Sequence, residues 1–541
     1  MVPHFIGIDV GTGSARAGIF NQEGELLGSA KQDILLFRDG AHVVEQSSND
    51  IWAAVCSSVR SAVSVAGVDP ATIVGISFDA TCSLVVLGAG GAPLPVGRHG
   101  IAERNIIVWM DHRAIDQARR ITATKHPVLD YVGGTISPEM ETPKLLWLQE
   151  NLPETFARSW QFMDLTDFLA WKATDSLARS ICTVTCKWTY IAHERRWDPS
   201  YFRSIGLGAL VDEEYARIGR QIVPVGTPLG NGLTVQSATQ LGLRPGTRVG
   251  AGLIDAHAGG IGTLGGGGPG TLKSRMAYVF GTSACTLSST TEPIFVPGVW
   301  GPYHSVMMPG LWLNEGGQSA AGAAIDHLVR HHPAAAQANA KATAANKGLG
   351  VWLGSETERR GGACVLPELV GSVLVVPEFL GNRAPFADPH ARAMIAGLSM
   401  LDDIESLVSL YAAGMCGIGY GLRQIIQAQR GQGIEVDTIV VSGGAGETAL
   451  ARQILADTTG LAVTSSRSPE PVLLGSAMLG AVAAGTYQDL AAAMEGMSGM
   501  ATLHQPSANL KEWHDRRYDL FCRLQAVGRD LTGPRVELTN S

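Results

Sequence analysis

Asp9 closes a short apolar run and is followed by Gly11, Thr12, Gly13 and Ser14, after which a second apolar run begins. Two such runs around a glycine- and hydroxyl-rich turn predict a β-hairpin. Its tip exposes successive backbone N–H groups, and a concave row of them suits a phosphate. Thr12, Gly13 and Ser14 are therefore candidate phosphate-binding residues. An acid beside a phosphate cradle makes chemical sense when a divalent cation sits between them, so Asp9 is the candidate ligand to a hydrated Mg²⁺. Other phosphate loops fit poorly. Arg16 stands where a dinucleotide fingerprint needs its third glycine, and a strand rather than a helix follows. The glycine-rich stretch from Gly265 to Lys273 lacks the Gly-Lys-Ser/Thr that ends a Walker loop. For this stretch taken alone, an ordinary hairpin turn is the plain alternative.

Asp255 is the leading candidate for catalysis. It ends a predicted strand (Arg248 to Ile254) among glycines and alanines that let other backbone approach closely. A carboxylate there can take the proton from an attacking hydroxyl as general base; the alternative is a simple cap for the small-residue helix that follows. Gly281, Thr282 and Ser283 form a second candidate cradle between two apolar runs, with a plain turn as its alternative. Gly443, Gly444 and Ala445 follow the buried run Thr438 to Val441. A side chain there would block a nucleotide's sugar, and a strand-to-helix turn explains the glycines equally well. Asp79, Thr81, Trp109, Asp111, Lys187 and Glu315 are charged, hydroxyl or aromatic residues at strand ends or in loops. Together they suit a polyol, whose hydroxyls meet polar groups while an aromatic face packs on its carbons. Asn382-Arg383-Ala384-Pro385 reads as a turn without an assigned role.

These groups need elements to hold them. Ser48 or Asn49 can cap a helix carrying Ile51, Trp52, Val55, Val59, Ala62 and Val63 on one face. Ile73 to Phe78 reads as a buried strand ending at Asp79, and Ile106 to Val108 as another ending at Trp109. Polar residues at the carboxyl ends of buried strands are where open α/β sheets hold ligands. A glycine-rich linker is expected from Gly259 to Gly270. Beyond it the order repeats: a hairpin at Ala277 to Ser288, a long helix from about Asp402, and the strand Thr438 to Val441. Two related α/β units facing each other across a cleft, with nucleotide held between the two turns, is the architecture this predicts. The segment after about residue 487 is more polar, with a frayed end at Gly533-Pro534 and Thr539-Asn540-Ser541.

Composition narrows the classes. With 541 residues, 45% hydrophobic and 17% charged, the chain reads as a well-packed protein of two or more domains. The net charge of −8, with no basic run, argues against nucleic acid as a partner. Asp9 interrupts the first apolar run, and the most apolar late run is short and broken by glycines, so neither a signal peptide nor a membrane span is expected. The eight cysteines lack paired spacing. Cys182 and Cys186 come nearest to a metal pair, but no second pair or histidine partner follows in sequence, and His257 reads as a packed histidine. They are expected to be buried reduced thiols of a cytoplasmic enzyme.

At this point a resemblance becomes visible. Asp9 to Ser14, Trp109-Met110-Asp111-His112-Arg113, Pro143 to Leu148, Asp255-Ala256-His257, Gly281-Thr282-Ser283, Glu315 to Ser319, Gly381-Asn382-Arg383 and Ser442-Gly443-Gly444 resemble, in order, the FGGY carbohydrate kinases. The opening turn, Asp79 to Ser83 and Trp109 to Arg113 look most like the D-ribulokinase and ribitol-kinase subgroup. The resemblance implies two actin-like (ribonuclease H-like) ATPase domains, here 1–264 and 275–541. Sugar would lie deep in the cleft and ATP mainly on the second domain, with Asp255 as the base. It also implies that Ala80, Trp109, Lys187 and Glu315 fall at sugar-binding positions. Glu447 stands near where relatives often carry an asparagine beside the base of the nucleotide, which leaves the adenine contacts open; Gln453 follows. Dimers are common among similar kinases, and nothing in the residues speaks to oligomeric state.

The reading is an ATP- and Mg²⁺-dependent cytoplasmic kinase acting on the terminal hydroxyl of a ketopentose, D-ribulose first. L-Ribulose, xylulose or ribitol differ by too little for spacing to separate. A sugar-sensing ATP binder with little catalysis is the alternative from another class, and a dehydrogenase is disfavoured by the failed dinucleotide fingerprint.

Overall fold

The structure is a computed structural model describing residues 2–40, 42–266 and 269–532; the end expected to fray, from Gly533, lies outside the described residues. Two sheets share one design. In the first, His4–Val10, Ser14–Phe20 and Leu26–Asp33 form an antiparallel meander, and Ile73–Ala80 and Arg248–Ile254 extend it in parallel beyond His4–Val10. In the second, Arg275–Phe280, Ala284–Thr290 and Trp312–Gln318 form the meander, and Thr438–Ser442 and Ala462–Ser465 add in parallel on the other side. Trp300–His304 pairs onto the meander's edge. The duplication expected from element order is therefore present, strand for strand.

Local chemistry explains most boundaries. The helix Ser48–Ala66 starts one residue earlier than its expected caps, because Ser47 accepts a hydrogen bond from the Asp50 N–H, and it ends on Gly67 in the left-handed region. The 27-residue helix Ile404–Arg430 is capped by Asp403. Two expectations shift. The strand from Ile73 runs through Asp79 and Ala80, pairing Asp79 with Asp9 and Ala80 with Val10. The strand before Trp109 shrinks to Ile106–Ile107, in a separate small sheet with Leu84–Leu87 and Gln161–Asp164. The expected linker also starts later, since Gly259 to Leu264 belong to the helix Asp255–Leu264.

Two helices join the halves. Asp255–Leu264 follows the first sheet but packs beside Arg275–Phe280 of the second; Pro471–Ala483 follows the second sheet but lies across the strands of the first. They pack on each other with almost no side chain between. A methyl group on Gly475 would stand 2.0 Å from the Ala258 carbonyl oxygen, and one on Gly262 would stand 1.8 Å from that of Pro471. Only glycine permits such an approach. The cleft opens beside this pair, at the carboxyl ends of the parallel strands.

Candidate active site

A cavity of about 340 Å³ lies between the two sheets. Asp255 opens into it from the first turn of its helix, and Asp9, Gly11 and Arg16 line it from the first hairpin. Gly281, Thr282 and Ser283 face them from the second hairpin. Each turn closes on a glycine N–H, though the second is one residue shorter: Gly11 donates to the Ser14 carbonyl and Gly281 to that of Ser283, each at 3.0 Å. Thr12 borders the cavity rather than lining it, its hydroxyl accepting from Trp109 Nε1 at 3.0 Å. Gly13 has open space where a side chain would project, and Ser14 begins the second strand. Gly443, Gly444 and Ala445 lie outside this cavity but adjoin the second turn. A methyl group on Gly322 would stand 2.7 Å from the Gly281 carbonyl oxygen and 3.6 Å from Ala445 Cβ.

Asp255 is not a helix cap. Ile254 occupies the cap position, and Asp255 Oδ1 accepts only its neighbour's N–H, that of Ala256, at 2.7 Å. Burial at the foot of the cleft, then the charge of Asp9, push its pKa from 3.8 to about 7. The Ala256 N–H and Lys187 pull the other way without prevailing. A carboxylate poised near neutrality is suited to taking a proton.

The wall opposite is strongly charged. Lys187, in the last turn of the helix Ile181–Trp188, and Glu315, on Trp312–Gln318, both line the cavity with Thr81 and Trp109. Burial works against ionised Glu315, but Lys187, His257 and Arg383 overcome it and bring its pKa down to about 2. Burial likewise opposes the Lys187 ammonium, yet the acidic groups around it, Cys82 and Glu315 foremost, hold its pKa well above the ordinary value. Among the polar and aromatic lining residues, Glu139 and Trp300 carried no sequence signal, and Cys82 and Arg383 lay in family-like motifs without an assigned role. Trp300 offers its ring to two cations, with Lys187 Nζ 4.7 Å and Arg383 Cζ 5.9 Å from the centroid. Arg383 is aimed by the turn that had no assigned role, which is pinned by paired backbone hydrogen bonds between Asn382 and Asp388.

Three expected sugar contacts, Asp79, Ala80 and Asp111, do not line this cavity. Asp111 faces inward, its carboxylate taken by the Arg113 guanidinium at 2.7 and 2.9 Å and by the Val44 N–H at 2.6 Å. Ala80 is wholly buried in the sheet. Asp79 is also fully buried and stays behind Asp9, because its strand continues past it. Among the described residues no donor reaches either Asp79 oxygen, and burial, then the Asp9 charge and a carboxyl-to-carboxylate hydrogen bond with Asp9, raise its pKa well above the carboxylate range. Asp9 itself is held by Arg16 through two contacts to Oδ2 at 2.5 and 2.8 Å, and Arg16 reaches on to Glu470 at 2.9 Å. Cys182 and Cys186 are free and buried and His257 is fully packed, as expected. The partner that no sequence spacing showed is His257 itself, 71 residues beyond Cys186, and the three donor atoms lie within 4.8 Å of one another.

Residues 4–262 match the N-terminal domain of the FGGY family of carbohydrate kinases, and residues 276–484 match its C-terminal domain. The chain belongs to this family. An FGGY carbohydrate kinase domain-containing protein of Homo sapiens is 45% identical over 530 residues, covering 96% of both chains. A D-ribulokinase of Saccharomyces cerevisiae is 38% identical over 512 residues, covering 88% of this chain and 72% of its own. In fold, a xylulose kinase of Rhodospirillum rubrum superposes with a TM-score of 0.79 at 19% identity, over 98% of this chain and all of that one. The two-domain actin-like ATPase architecture is thereby established for this FGGY kinase. Among the described residues no helix is long and apolar enough to cross a membrane.

Proposed function

We propose that this carbohydrate kinase transfers the γ-phosphoryl group of ATP to the terminal hydroxyl of a ketopentose, giving D-ribulose 5-phosphate from D-ribulose. The observation that carries the reading is Asp255: a carboxylate whose pKa is pushed up to about 7, between two glycine-closed hairpin turns. Asp255 accepts the hydroxyl proton as the bond to phosphorus forms. The turns at Thr12 to Ser14 and Gly281 to Ser283 offer backbone N–H groups to phosphate oxygens, and Gly443 to Ala445 leave room for the nucleoside. Arg16 adds a cation on the cavity wall. Catalysis is then mostly positioning and charge stabilisation.

Asp79, buried beside Asp9 with no donor to either oxygen and its pKa raised by the like charges of Asp9 and Asp255, makes this corner a fitting neighbour for a hard divalent cation. Asp9, which reaches the cavity, would hold hydrated Mg²⁺; when bound, the ion neutralises charge on the transferring phosphates. The sugar's hydroxyls find acceptors in Glu315 and Glu139, and a ketose carbonyl finds donors in Lys187 and Arg383. The faces of Trp109 and Trp300 cover its carbons. The 38% identity with a D-ribulokinase across most of the chain favours D-ribulose among the pentuloses.

The test is ADP release with Mg-ATP across D-ribulose, L-ribulose, D-xylulose, ribitol and glycerol. The highest kcat/KM is expected with D-ribulose. Preference for another of these would replace the substrate while keeping the kinase, and release that is independent of all five would refute the ketopentose assignment.

A further inference from the structure

Behind the sugar-facing wall, Cys182, His257 and Glu315 form a chain that crosses from one half of the molecule to the other. Cys182 Sγ lies 3.2 Å from His257 Nδ1, and His257 Nε2 lies 3.4 Å from Glu315 Oε2. Cys182 and His257 are entirely buried, and Glu315 is nearly so. Cys182 belongs to the helix Ile181–Trp188 and His257 to the first turn of the helix that Asp255 begins, whereas Glu315 comes from the second sheet.

An imidazole has two nitrogens, and the partner of one decides the protonation of the other. Here both charge states give the same answer. If the Cys182 thiol donates to Nδ1, the ring proton is left on Nε2. If the thiol has passed its proton to the ring, both nitrogens are protonated and Nε2 still carries one. Either way an Nε2–H is aimed at the Glu315 carboxylate. Burial opposes a charged ring, yet Cys182 and Glu315 push the His257 pKa up to about 9.

We infer that Cys182 and His257 are positioning residues for sugar binding: Cys182 fixes the His257 tautomer so that Nε2–H locks the Glu315 carboxylate toward the sugar. This rests on Glu315 contacting the sugar, as proposed above. It also links the two substrate-facing carboxylates, because His257 stands two residues after Asp255 on the same helical turn.

A metal ion is the competing occupant of the cluster, and the geometry disfavours it. Ligands on tetrahedral zinc at about 2.3 Å for sulfur and about 2.1 Å for nitrogen stand about 3.6 Å apart, wider than the observed 3.2 Å. Among the described residues only three candidate ligands are present, and Cys182 Sγ also accepts the Ile254 N–H at 3.5 Å.

The test uses the full chain labelled with ¹⁵N-histidine, with His257 signals assigned by their loss in His257→Gln. A protonated Nε2 near neutral pH supports the inference; an Nδ1–H, Nε2-unprotonated ring overturns it, as does one equivalent of bound zinc in protein as purified. Sugar affinity by calorimetry, without ATP, is the second arm. His257→Leu and Cys182→Ala should weaken D-ribulose binding about 10-fold and leave ATP binding unchanged. His257→Gln, whose amide still donates to Glu315, and Cys182→Ser, whose hydroxyl still donates to Nδ1, should recover most of the loss. If the Gln and Ser variants bind sugar no better than Leu and Ala, the relay is refuted. Should wild type release no ADP with any sugar, the kinase substrate reading fails while the tautomer result stands by itself.

Discussion

Asp255→Asn separates catalysis from stability in one substitution. The side chain keeps its shape and loses both its basicity and its charge, so turnover should fall by about 10²–10⁴-fold while D-ribulose still binds. Stability should move the other way. Raising the Asp255 pKa from 3.8 to about 7 corresponds to about 4 kcal/mol by which the folded state disfavours the ionised form. Solvent reaching the cavity halves this to about 2 kcal/mol. The sign follows from proton counting: between the two pKa values the unfolded chain has lost a proton that the folded protein keeps, so wild-type stability falls as pH rises through that window and is flat above it. The asparagine variant escapes this loss. For a unit spanning residues 4–262, with unfolding entropy of about 2.1 cal/mol/K per residue, 2 kcal/mol is about 4 °C in Tm. The variant should melt about 4 °C above wild type at pH 8 and much closer to it at pH 5. Scanning calorimetry at both pH values, with ADP release at pH 8, checks both halves. Turnover above a tenth of wild type would refute Asp255 as the base, and a stability gain equal at the two pH values would refute burial of its charge as the cause.

Three further outcomes follow. Glu315→Gln should raise the KM for sugar by about 10- to 100-fold, since a charge-assisted hydrogen bond is lost, and leave the KM for ATP within about twofold of wild type; steady-state kinetics in both substrates decide it. Asp111→Asn should destabilise by about 1–3 kcal/mol by removing one of the two carboxylates on buried Arg113, which keeps Glu45 at 3.0 Å, with little change in sugar KM for the folded fraction, so a denaturant melt and kinetics together distinguish a structural carboxylate from a sugar ligand. Gly475→Ala forces a methyl group to 2.0 Å from the Ala258 carbonyl oxygen and should cost about 3 kcal/mol or more; an unchanged melt would mean the helices can separate freely.

The sequence announces features whose cause is local. Both hairpins were legible because alternating apolar residues around glycine and hydroxyl turns need no distant partner, and Asp255 because a buried strand ran into an acid among small residues. Asp111 misled because a residue at a strand end can turn either way, and Arg113, two positions on, captures it. Asp79 misled because its strand runs on through Ala80, which leaves the carboxylate behind Asp9. Trp300, Glu139 and Arg383 lie in separate segments that converge only in the folded chain, so no spacing could gather them. The same holds for Cys182 and His257, which lie 75 residues apart in sequence and meet only in the fold.

The position of Asp255 follows from the helix pair. Asp255 heads a helix that leaves the first sheet, packs beside the second and lies directly on the backbone of Pro471–Ala483, which itself rests on the first sheet. At Gly7 a methyl group would stand 1.8 Å from the Leu473 carbonyl oxygen, so that contact too is backbone against backbone. Interfaces packed this tightly do not deform continuously; they move as bodies. The hairpin turn carrying Asp9 and the turn carrying Gly281 belong to different sheets, and the helix bearing Asp255 touches both. On the role proposed for Asp255, these glycine-to-carbonyl contacts hold the backbone that carries the base against both sheets at once, which is the fixed placement that taking a proton from a bound hydroxyl requires.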